Sequence, residues 1–184
     1  MAKENWTTVS TTDLFHFRGK KLRKDNVRIA SGKETEYIYL QHPGSVVIVP
    51  FLDDTLVLLL EQYRYPIRNM SIEFPMGGID TGEDERQAAE RELLEETGYT
   101  AQTIIHIGSL YPSNGMSDEK VDVFIARDLE LKEGHVSSPE EMQTLSLRKH
   151  SFEEVLHLIN TGVIKDGFTI SACLLTQLYL QKKR

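Results

Sequence analysis

Two apolar runs separated by a pair of aspartates constrain the fold of this chain more than any other feature. The stretch SVVIVPFLDDTLVLLLEQYRY (45–65) consists of two runs rich in β-branched and aliphatic residues, joined at Asp53-Asp54. Short apolar runs bounded by turn residues predict buried strands, and we interpret these two as a hairpin. Further strands are predicted in NVRIASGKETEYIYL, on either side of Ser31-Gly32, and in IIHIGSLYP and KVDVFIARDL.

Three segments carry helix signals, because a capping residue precedes or a glycine follows a stretch with helical spacing. Strands mixed with helices predict an α/β or α+β protein, with a sheet between helices. The first predicted helix covers residues 83–97, with Thr81 or Asp84 before it and Gly98 after it. The second begins with a capping box of Ser151 and Glu154 and ends at Gly162. The third covers residues 169–182.

Composition narrows the class of protein. The chain has 184 residues, enough for one domain with a small N-terminal addition. Its net charge of −7 argues against nucleic-acid binding through a general basic surface. Cys173 is the single cysteine, so no intrachain disulfide forms, and its apolar surroundings in the sequence predict a core residue. The first residues lack a signal-peptide core and no apolar run approaches about eighteen residues, so we expect a cytoplasmic protein without a membrane span.

A short acidic segment raises an electrostatic problem. Seven of the fourteen residues from Glu83 to Glu96 are aspartate or glutamate, and only two arginines oppose them. A solvated helix face is the usual explanation, and the helix dipole favours the carboxylates of the first turn. That explanation accounts poorly for Glu92, Glu95 and Glu96 in the last turns, where the dipole disfavours negative charge. Glu92 and Glu96 lie one turn apart and repel by about 0.7 kcal/mol in water and about 3 kcal/mol near a protein surface.

A bound divalent cation would reverse the sign of this repulsion. Carboxylates one helical turn apart can share Mg²⁺ or Mn²⁺ through oxygen ligands and water. Arg91, four residues before Glu95, is placed to orient several carboxylates. Before the helix, Pro75 and the glycines of EFPMGGIDTGE let the backbone approach a metal, although a plain turn explains those glycines equally well on their own.

The acidic segment resembles the Nudix box, G-x5-E-x7-R-E-U-x-E-E-x-G-U, in which U is a bulky apolar residue. The matching residues are Gly77, Glu83, Arg91, Glu92, Leu93, Glu95, Glu96 and Gly98. Tyr99 departs from the pattern, where an aliphatic residue is more usual. The lead-in EQYRYPIRNMSIEFPMGGIDTGE, the loop SLYPSNGMSDE and the segment DGFTISACLL resemble the branch of ADP-ribose and nucleoside-diphosphate-sugar pyrophosphatases.

This resemblance implies a fold, a metal and a partner. The expected fold is an α/β/α sandwich around a mixed sheet over residues 44–184, with a small N-terminal β region over residues 1–43 that forms a homodimer. The expected cofactor is Mg²⁺, with Mn²⁺ as a substitute. The family pattern assigns metal binding to Glu92, Glu96 and the Met76 carbonyl, with Glu83 as an outer ligand or orienting group and Glu95 close by.

The branch also implies a general base and substrate contacts outside the box. The base comes from a loop that matches SSPEEMQTL, where we favour Glu141 over Glu140, and a solvated loop glutamate is the alternative. For the diphosphate we name Arg64, whose guanidinium suits phosphate oxygens, with a surface ion pair as the alternative. Weaker candidates for substrate binding are Arg28 in a basic hairpin, Glu119 after the proline loop, and Tyr37 or Trp6 as a base-stacking ring.

Two hypotheses of different class follow. In the first, the protein hydrolyses the diphosphate of ADP-ribose or of other nucleoside diphosphate sugars, such as GDP-mannose, to a nucleoside monophosphate and a sugar phosphate. In the second, it keeps the fold as a nucleotide-sensing regulator without catalysis. All the box glutamates are present, which favours the enzyme.

Overall fold

The chain forms two compact units. The structure is a computed structural model that describes residues 6–132 and 145–183. One unit comprises Met1–Gly44 and Tyr111–Lys120, and the other comprises Ser45–Leu110 and Val121–Arg184.

The first unit is built on an antiparallel meander of three strands. These are β1 (Thr7–Phe17), β2 (Lys20–Arg28) and β3 (Glu34–Gln41), in the order β1-β2-β3. Gly32 lies in the turn between β2 and β3 with φ of +84°, a conformation that glycine adopts without steric cost, so the turn predicted at Ser31-Gly32 is confirmed. The segment 111–120 attaches to β3, where the Leu40 N–H donates to the Met116 carbonyl at 2.8 Å.

The described residues of the second unit form two sheets. Its strands are β4 (Ser45–Pro50), β5 (Leu56–Arg64), β6 (Asn69–Glu73), β7 (Met76–Gly78), β8 (Tyr99–Leu110), β9 (Val121–Leu131) and β10 (Leu145–Ser151). One sheet has the order β7-β4-β9-β8, with β4 and β9 parallel and the other pairs antiparallel. The other is antiparallel with the order β10-β5-β6. A mixed sheet is therefore present, as expected.

The hairpin predicted across residues 45–65 is wrong in its pairing. Both runs are strands, but β4 pairs with β7 and β9, whereas β5 pairs with β6 and β10. Only an isolated bridge between Phe51 and Val57 links the two runs. Every residue of 46–49 and 57–60 is fully buried, so both faces of each strand are covered. An apolar run in which polar residues do not alternate predicts burial on both faces of a strand. It does not predict which other strand pairs with it.

Helices cover both faces of the mixed sheet. The helices are α1 (Glu85–Thr97), α2 (Phe152–Asn160) and α3 (Gly167–Lys182). Alternate β4 side chains point to opposite sides, so Val46 and Ile48 join the cluster of α1 and Val47 and Val49 join that of α3. The α1 cluster contains Ala88, Ala89 and Leu93, and the α3 cluster contains Ala172 and Cys173. The predicted α/β/α sandwich is confirmed.

Most of the predicted helix ends are also confirmed. The Asp84 carboxylate accepts the Gln87 N–H at 2.8 Å and the Gln87 side chain accepts the Asp84 N–H at 3.0 Å, which closes a capping box. Thr81 is therefore not the cap, because the helix begins at Glu85. Gly98 ends the helix with φ of +76°. The capping box of α2 forms between Ser151 and Glu154 as predicted.

Cys173 is a core residue, as expected. It lies in α3 with 1% of its surface exposed, and burial raises the pKa of its thiol to about 12. Among residues 6–132 and 145–183, no helix has the length and apolar character needed to cross a lipid bilayer.

Candidate active site

The two glutamates at the end of α1 lie against the backbone of β7. The Glu96 carboxylate accepts the Met76 N–H at 2.9 Å, which fixes one of its oxygens beside the strand. The neighbouring Glu92 side chain is only 12% exposed. The helix spacing that raised the electrostatic problem therefore places both carboxylates at one buried edge of the sheet, beside the Met76 backbone.

Gly77 makes this close approach possible. A Cβ atom built on Gly77 would lie 2.0 Å from Glu92 Oε1 and 2.4 Å from Glu92 Oε2, far inside van der Waals contact. Any other residue at position 77 would displace the carboxylate. The first glycine of the acidic motif is thus required by the position of Glu92 and is not a plain turn residue. The backbone at Gly77 is ordinary extended strand, so its role here is to leave space.

Burial perturbs both carboxylates. Desolvation raises the pKa of Glu96 to about 8, and the charge of Glu92 adds to that effect. Desolvation also raises the pKa of Glu92, although Arg91 acts in the opposite direction. Burial therefore disfavours the charged forms of both carboxylates, and a cation bound beside them would favour those charged forms.

Arg91 organises the surrounding carboxylates from one guanidinium group. It forms a two-pronged ion pair with Glu83, with both N–O distances at 2.9 Å. It also donates to Glu92 at 2.6 Å, to Glu95 at 3.2 Å and to the Gly78 carbonyl at 2.8 Å. This pairing holds the pKa of Glu83 below its usual value. Arg91 thus links the loop before α1 to the helix, in the arrangement that the sequence suggested.

Arg64 has a buried partner that the sequence analysis did not identify. Its Nε lies 3.0 Å from both carboxylate oxygens of Glu73, and its Nη2 makes a further short contact to the same group. Glu73 is 2% exposed, whereas the Arg64 side chain is 41% exposed. A signal was present in the sequence, since Glu73 is a charged residue between the apolar residues Ile72 and Phe74.

A four-residue segment, Glu73 to Met76, joins these parts. Each residue bonds to a different element: Glu73 to Arg64 in β5, the Phe74 N–H to Thr169 Oγ1 in α3 at 3.0 Å, the Pro75 carbonyl to the Ile48 N–H in β4 at 2.9 Å, and the Met76 N–H to Glu96 in α1. We call residues 73–76 the junction segment. Three of these bonds use backbone groups of the segment, and two of the three are accepted by the side chains of Thr169 and Glu96.

Four of the substrate candidates belong to the first unit, namely Trp6, Arg28, Tyr37 and Glu119. Arg28 pairs with Glu34 across the β2–β3 hairpin at 2.6 Å. The Tyr37 hydroxyl donates to the Gly115 carbonyl at 3.1 Å, and its ring meets Trp6 edge to face at 6.4 Å. Both rings line a cavity of about 570 Å³ within that unit, together with Asp25, Val27, Tyr39, Tyr111, Asn114, Ser117 and Asp118.

Of the other candidates, Glu119 lies in the first unit and two loop glutamates lie outside the described residues. Glu119 is mostly buried in the first unit, 3.6 Å from His42 Nε2, and burial lowers the pKa of His42. Glu140 and Glu141 lie outside the described residues, so their proposed role as general base stays a prediction.

Comparison with known proteins identifies the family. A model of the NUDIX domain matches residues 41–169, more than half of the chain. The chain belongs to the Nudix family. This Nudix protein is 32% identical over 171 residues to a methanol dehydrogenase activator of Bacillus methanolicus, with 93% of this chain and 92% of the relative covered. It is 30% identical over 171 residues to an ADP-ribose pyrophosphatase of Bacillus subtilis, with the same coverage.

Structural comparison supports the same Nudix fold. A solved structure of an ADP compounds hydrolase superposes with a TM-score of 0.84 and covers 100% of this chain and 98% of that chain, at 22% identity. The Nudix chain described here is a hydrolase that acts on phosphoric anhydride bonds. Nudix hydrolases generally use divalent metal ions.

The residues of this Nudix site fit such an ion. Glu92, Glu96 and the Met76 carbonyl offer oxygen donors, which Mg²⁺ and Mn²⁺ prefer. Within the described parts of the chain, no three His, Cys, Asp or Glu side chains are arranged as a complete metal site. Mg²⁺ commonly keeps several waters and takes phosphate oxygens of the substrate, so a partial protein ligand set suits it.

Proposed function

We propose that this Nudix hydrolase cleaves the diphosphate of ADP-ribose or of another nucleoside diphosphate sugar, such as GDP-mannose, with Mg²⁺ as cofactor. The products are a nucleoside monophosphate and a sugar phosphate. The observation that carries the proposal is the pair of buried, partly uncompensated carboxylates, Glu92 and Glu96, held against the backbone of β7. The Bacillus subtilis relative, named an ADP-ribose pyrophosphatase, supports the substrate class.

The proposed ligands are Glu92, Glu96 and the Met76 carbonyl, with Mn²⁺ able to replace Mg²⁺. Glu83 and Glu95 act around them, because Arg91 bonds to both and to Glu92. A divalent ion bound there would neutralise part of the diphosphate charge and would lower the pKa of a water molecule. Arg91 keeps the carboxylates oriented, and Arg64 binds diphosphate oxygens through its guanidinium.

A general base must accept the proton of the attacking water. We propose Glu141 for this role and Glu140 as the second choice. Arg28, Tyr37 and Glu119 are proposed substrate contacts, since Tyr37 and Trp6 supply aromatic rings to a cavity of the first unit.

Glu141→Gln should slow turnover at least about tenfold with little loss of metal binding, because the amide cannot accept a proton. Single-turnover rates and calorimetric titration with Mn²⁺ measure the two effects separately. Glu140→Gln is the matched control and should retain most of the rate. A collapse of Mn²⁺ affinity in Glu141→Gln would instead make Glu141 a metal ligand. Equal slowing by both variants would contradict the choice of Glu141 over Glu140 as the base.

We also propose that the protein is a cytoplasmic homodimer. Apolar side chains of β1, among them Leu14, Phe15 and Phe17, are about half exposed, and such a surface favours association. A single cysteine, kept as a buried thiol, suits a reducing compartment. Sedimentation at several concentrations measures the oligomeric state.

Hydrolysis assays test the proposed function. The purified protein is incubated with Mg²⁺ and, separately, with ADP-ribose, GDP-mannose, UDP-glucose, ADP-glucose and a nucleoside triphosphate, and the products are separated by chromatography. Release of a nucleoside monophosphate from a diphosphate sugar, abolished by EDTA, is the expected result. Failure to cleave any of these compounds by a folded protein would overturn the proposal.

A second candidate is a regulator that binds a nucleotide without cleaving it. The relative from Bacillus methanolicus that is named an activator favours this possibility. The complete set of box glutamates argues against it, because a sensor would not require every one of them. Nucleotide binding without turnover in the same assays would select the regulator.

A further inference from the structure

The ion pair between Arg64 and Glu73 is unusual in its burial. Glu73 ends β6 with 2% of its surface exposed and accepts hydrogen bonds from Arg64 and from Gln62 Nε2, the latter at 3.2 Å. Withdrawing a carboxylate from water costs several kcal/mol, and apolar replacements of buried pairs are often equally stable or more so. Stability alone therefore does not account for a charged residue at this position.

The geometry shows what the pair does to Arg64. Glu73 engages the Nε and Nη2 atoms, which form one edge of the planar guanidinium. Within residues 6–132 and 145–183, Arg64 donates through Nε and Nη2 and makes no hydrogen bond through Nη1. The edge made by Nη1 and Nη2 is the one that pairs with a second two-oxygen anion such as a phosphate. Glu73 thus selects which edge of Arg64 is available.

The backbone that follows Glu73 is held in place by hydrogen bonds to neighbouring elements. Glu73 is the first residue of the junction segment, whose next members bond to Thr169 of α3 and to Glu96 of α1. The charge of Arg64 acts on both Glu96 and Asp166, so the guanidinium lies within electrostatic reach of the proposed metal ligands. An arginine held from this segment keeps its distance to Glu96 through a short chain of bonds.

A second ion pair on β5 provides a contrast. Arg148 bonds to Glu61 through Nε at 2.8 Å and through Nη2, in the same two-pronged manner. Its glutamate is 24% exposed, compared with 3% for the side chain of Glu73. Exposed pairs of this kind contribute little to stability. Both pairs join an arginine to a glutamate and include a residue of β5, and they differ in how deeply the glutamate is buried.

We propose that Glu73 is a positioning residue, which fixes the guanidinium of Arg64 so that its Nη1–Nη2 edge faces the diphosphate of the substrate. The inference rests on the proposed function, because it assigns the diphosphate as the ligand of Arg64. Arg64 makes the contact, and Glu73 acts only through Arg64.

Glu73→Gln tests the proposal, because the amide keeps the size and removes the charge. KM for ADP-ribose should rise at least about tenfold while kcat changes less than about threefold, since ground-state and transition-state binding are lost together. Arg64→Ala should raise KM at least as much, and the double variant should equal Arg64→Ala alone. The control Glu61→Gln should behave as the unmodified protein.

Two outcomes would overturn the proposal. One is an unchanged KM in folded Glu73→Gln. The other is full multiplication of the two effects in the double variant, because Glu73 would then act independently of Arg64. If Glu73→Gln does not fold, Glu73→Asp shortens the anchor with its charge kept, and it should raise KM by about threefold.

A binding measurement separates this inference from the proposed function. The affinity for inorganic pyrophosphate with Mg²⁺ is measured by calorimetry in the same variants, and it requires no turnover. Loss of affinity in Glu73→Gln and Arg64→Ala, without further loss in the double variant, supports the positioning role even if no diphosphate sugar is cleaved. Failure of the unmodified protein to bind pyrophosphate, or equal binding by Glu73→Gln, overturns it.

Discussion

Glu96→Gln should lower kcat at least about a hundredfold while the protein remains folded. The amide retains the size of the carboxylate and can still accept the Met76 N–H bond, which measures 2.9 Å in the structure. What it loses is the charge that we propose binds the metal. Steady-state rates with saturating Mg²⁺ measure the effect. Glu90→Gln on the same helix, whose exposed carboxylate pairs with Arg86, is the matched control and should keep its rate.

The same variant should gain stability without metal. The Glu96 pKa is about 8 in the folded protein, compared with an ordinary value of 4.5. The folded protein therefore binds a proton that the unfolded chain releases, and the free energy of unfolding falls as pH rises from 4.5 to about 8. This loss should be on the order of a few kcal/mol and should be absent from Glu96→Gln.

Urea denaturation in EDTA at pH 5 and at pH 8.5 measures this difference. Other groups titrate over that interval, so the comparison is between the two slopes of stability against pH, that of the unmodified protein and that of the variant. Parallel slopes would show that Glu96 ionises in the folded protein as it does in water. An unchanged kcat in folded Glu96→Gln would refute its assignment as a metal ligand.

Gly77→Ala should have an effect on kcat of similar size. Its Cβ atom would lie 2.0 Å from Glu92 Oε1, so the carboxylate must move by more than an ångström. The obstructing atoms end a flexible side chain, and the adjustment should therefore spare the fold. A displacement of about 1 Å in a catalytic constellation can lower the rate on the order of a hundredfold. We expect that loss together with weaker Mn²⁺ binding.

The neighbouring glycine supplies the control for this experiment. A Cβ atom built on Gly78 would have no neighbouring atom within 4 Å. Gly78 accepts the hydrogen bond from Arg91 through its backbone carbonyl, which an alanine would also have. Gly78→Ala therefore places the same methyl group one position along the strand without touching Glu92. Unfolding by Gly77→Ala, or equal rates for the two alanine variants, would contradict this account of the glycine. Thermal melts and kcat measurements on the same preparations distinguish these results.

Local signals in the sequence predicted the elements of the fold better than their pairing. The caps at Asp84 and Ser151 and the stop at Gly98 depend on residues within one helical turn, and they are correct. The partner of β4 depends on β9, about 75 residues away, and nothing in the run VVIV encodes that choice. Continuous burial on both faces removes the alternation that would otherwise fix orientation.

The candidate site shows the same division. The repulsion between Glu92 and Glu96 was visible from helical spacing alone, and it led to the metal hypothesis. The role of Glu73 was not predicted, because it depends on the ion pair with Arg64 on the neighbouring strand. The register that brings β5 and β6 together cannot be predicted from the sequence of either strand alone. The base-stacking and sugar contacts proposed for Tyr37 and Glu119 depend on tertiary geometry to an even greater extent.

The junction segment sets a limit on how such a chain can diverge. Because residues 73–76 each bond to a different element, an insertion or deletion within them would shift two sheets and two helices against one another. Its length is therefore fixed, whereas the connections around Asp53-Asp54 and Ser31-Gly32 can lengthen at small cost. In relatives of this chain, we therefore expect differences in length at those connections and a constant length of the junction segment.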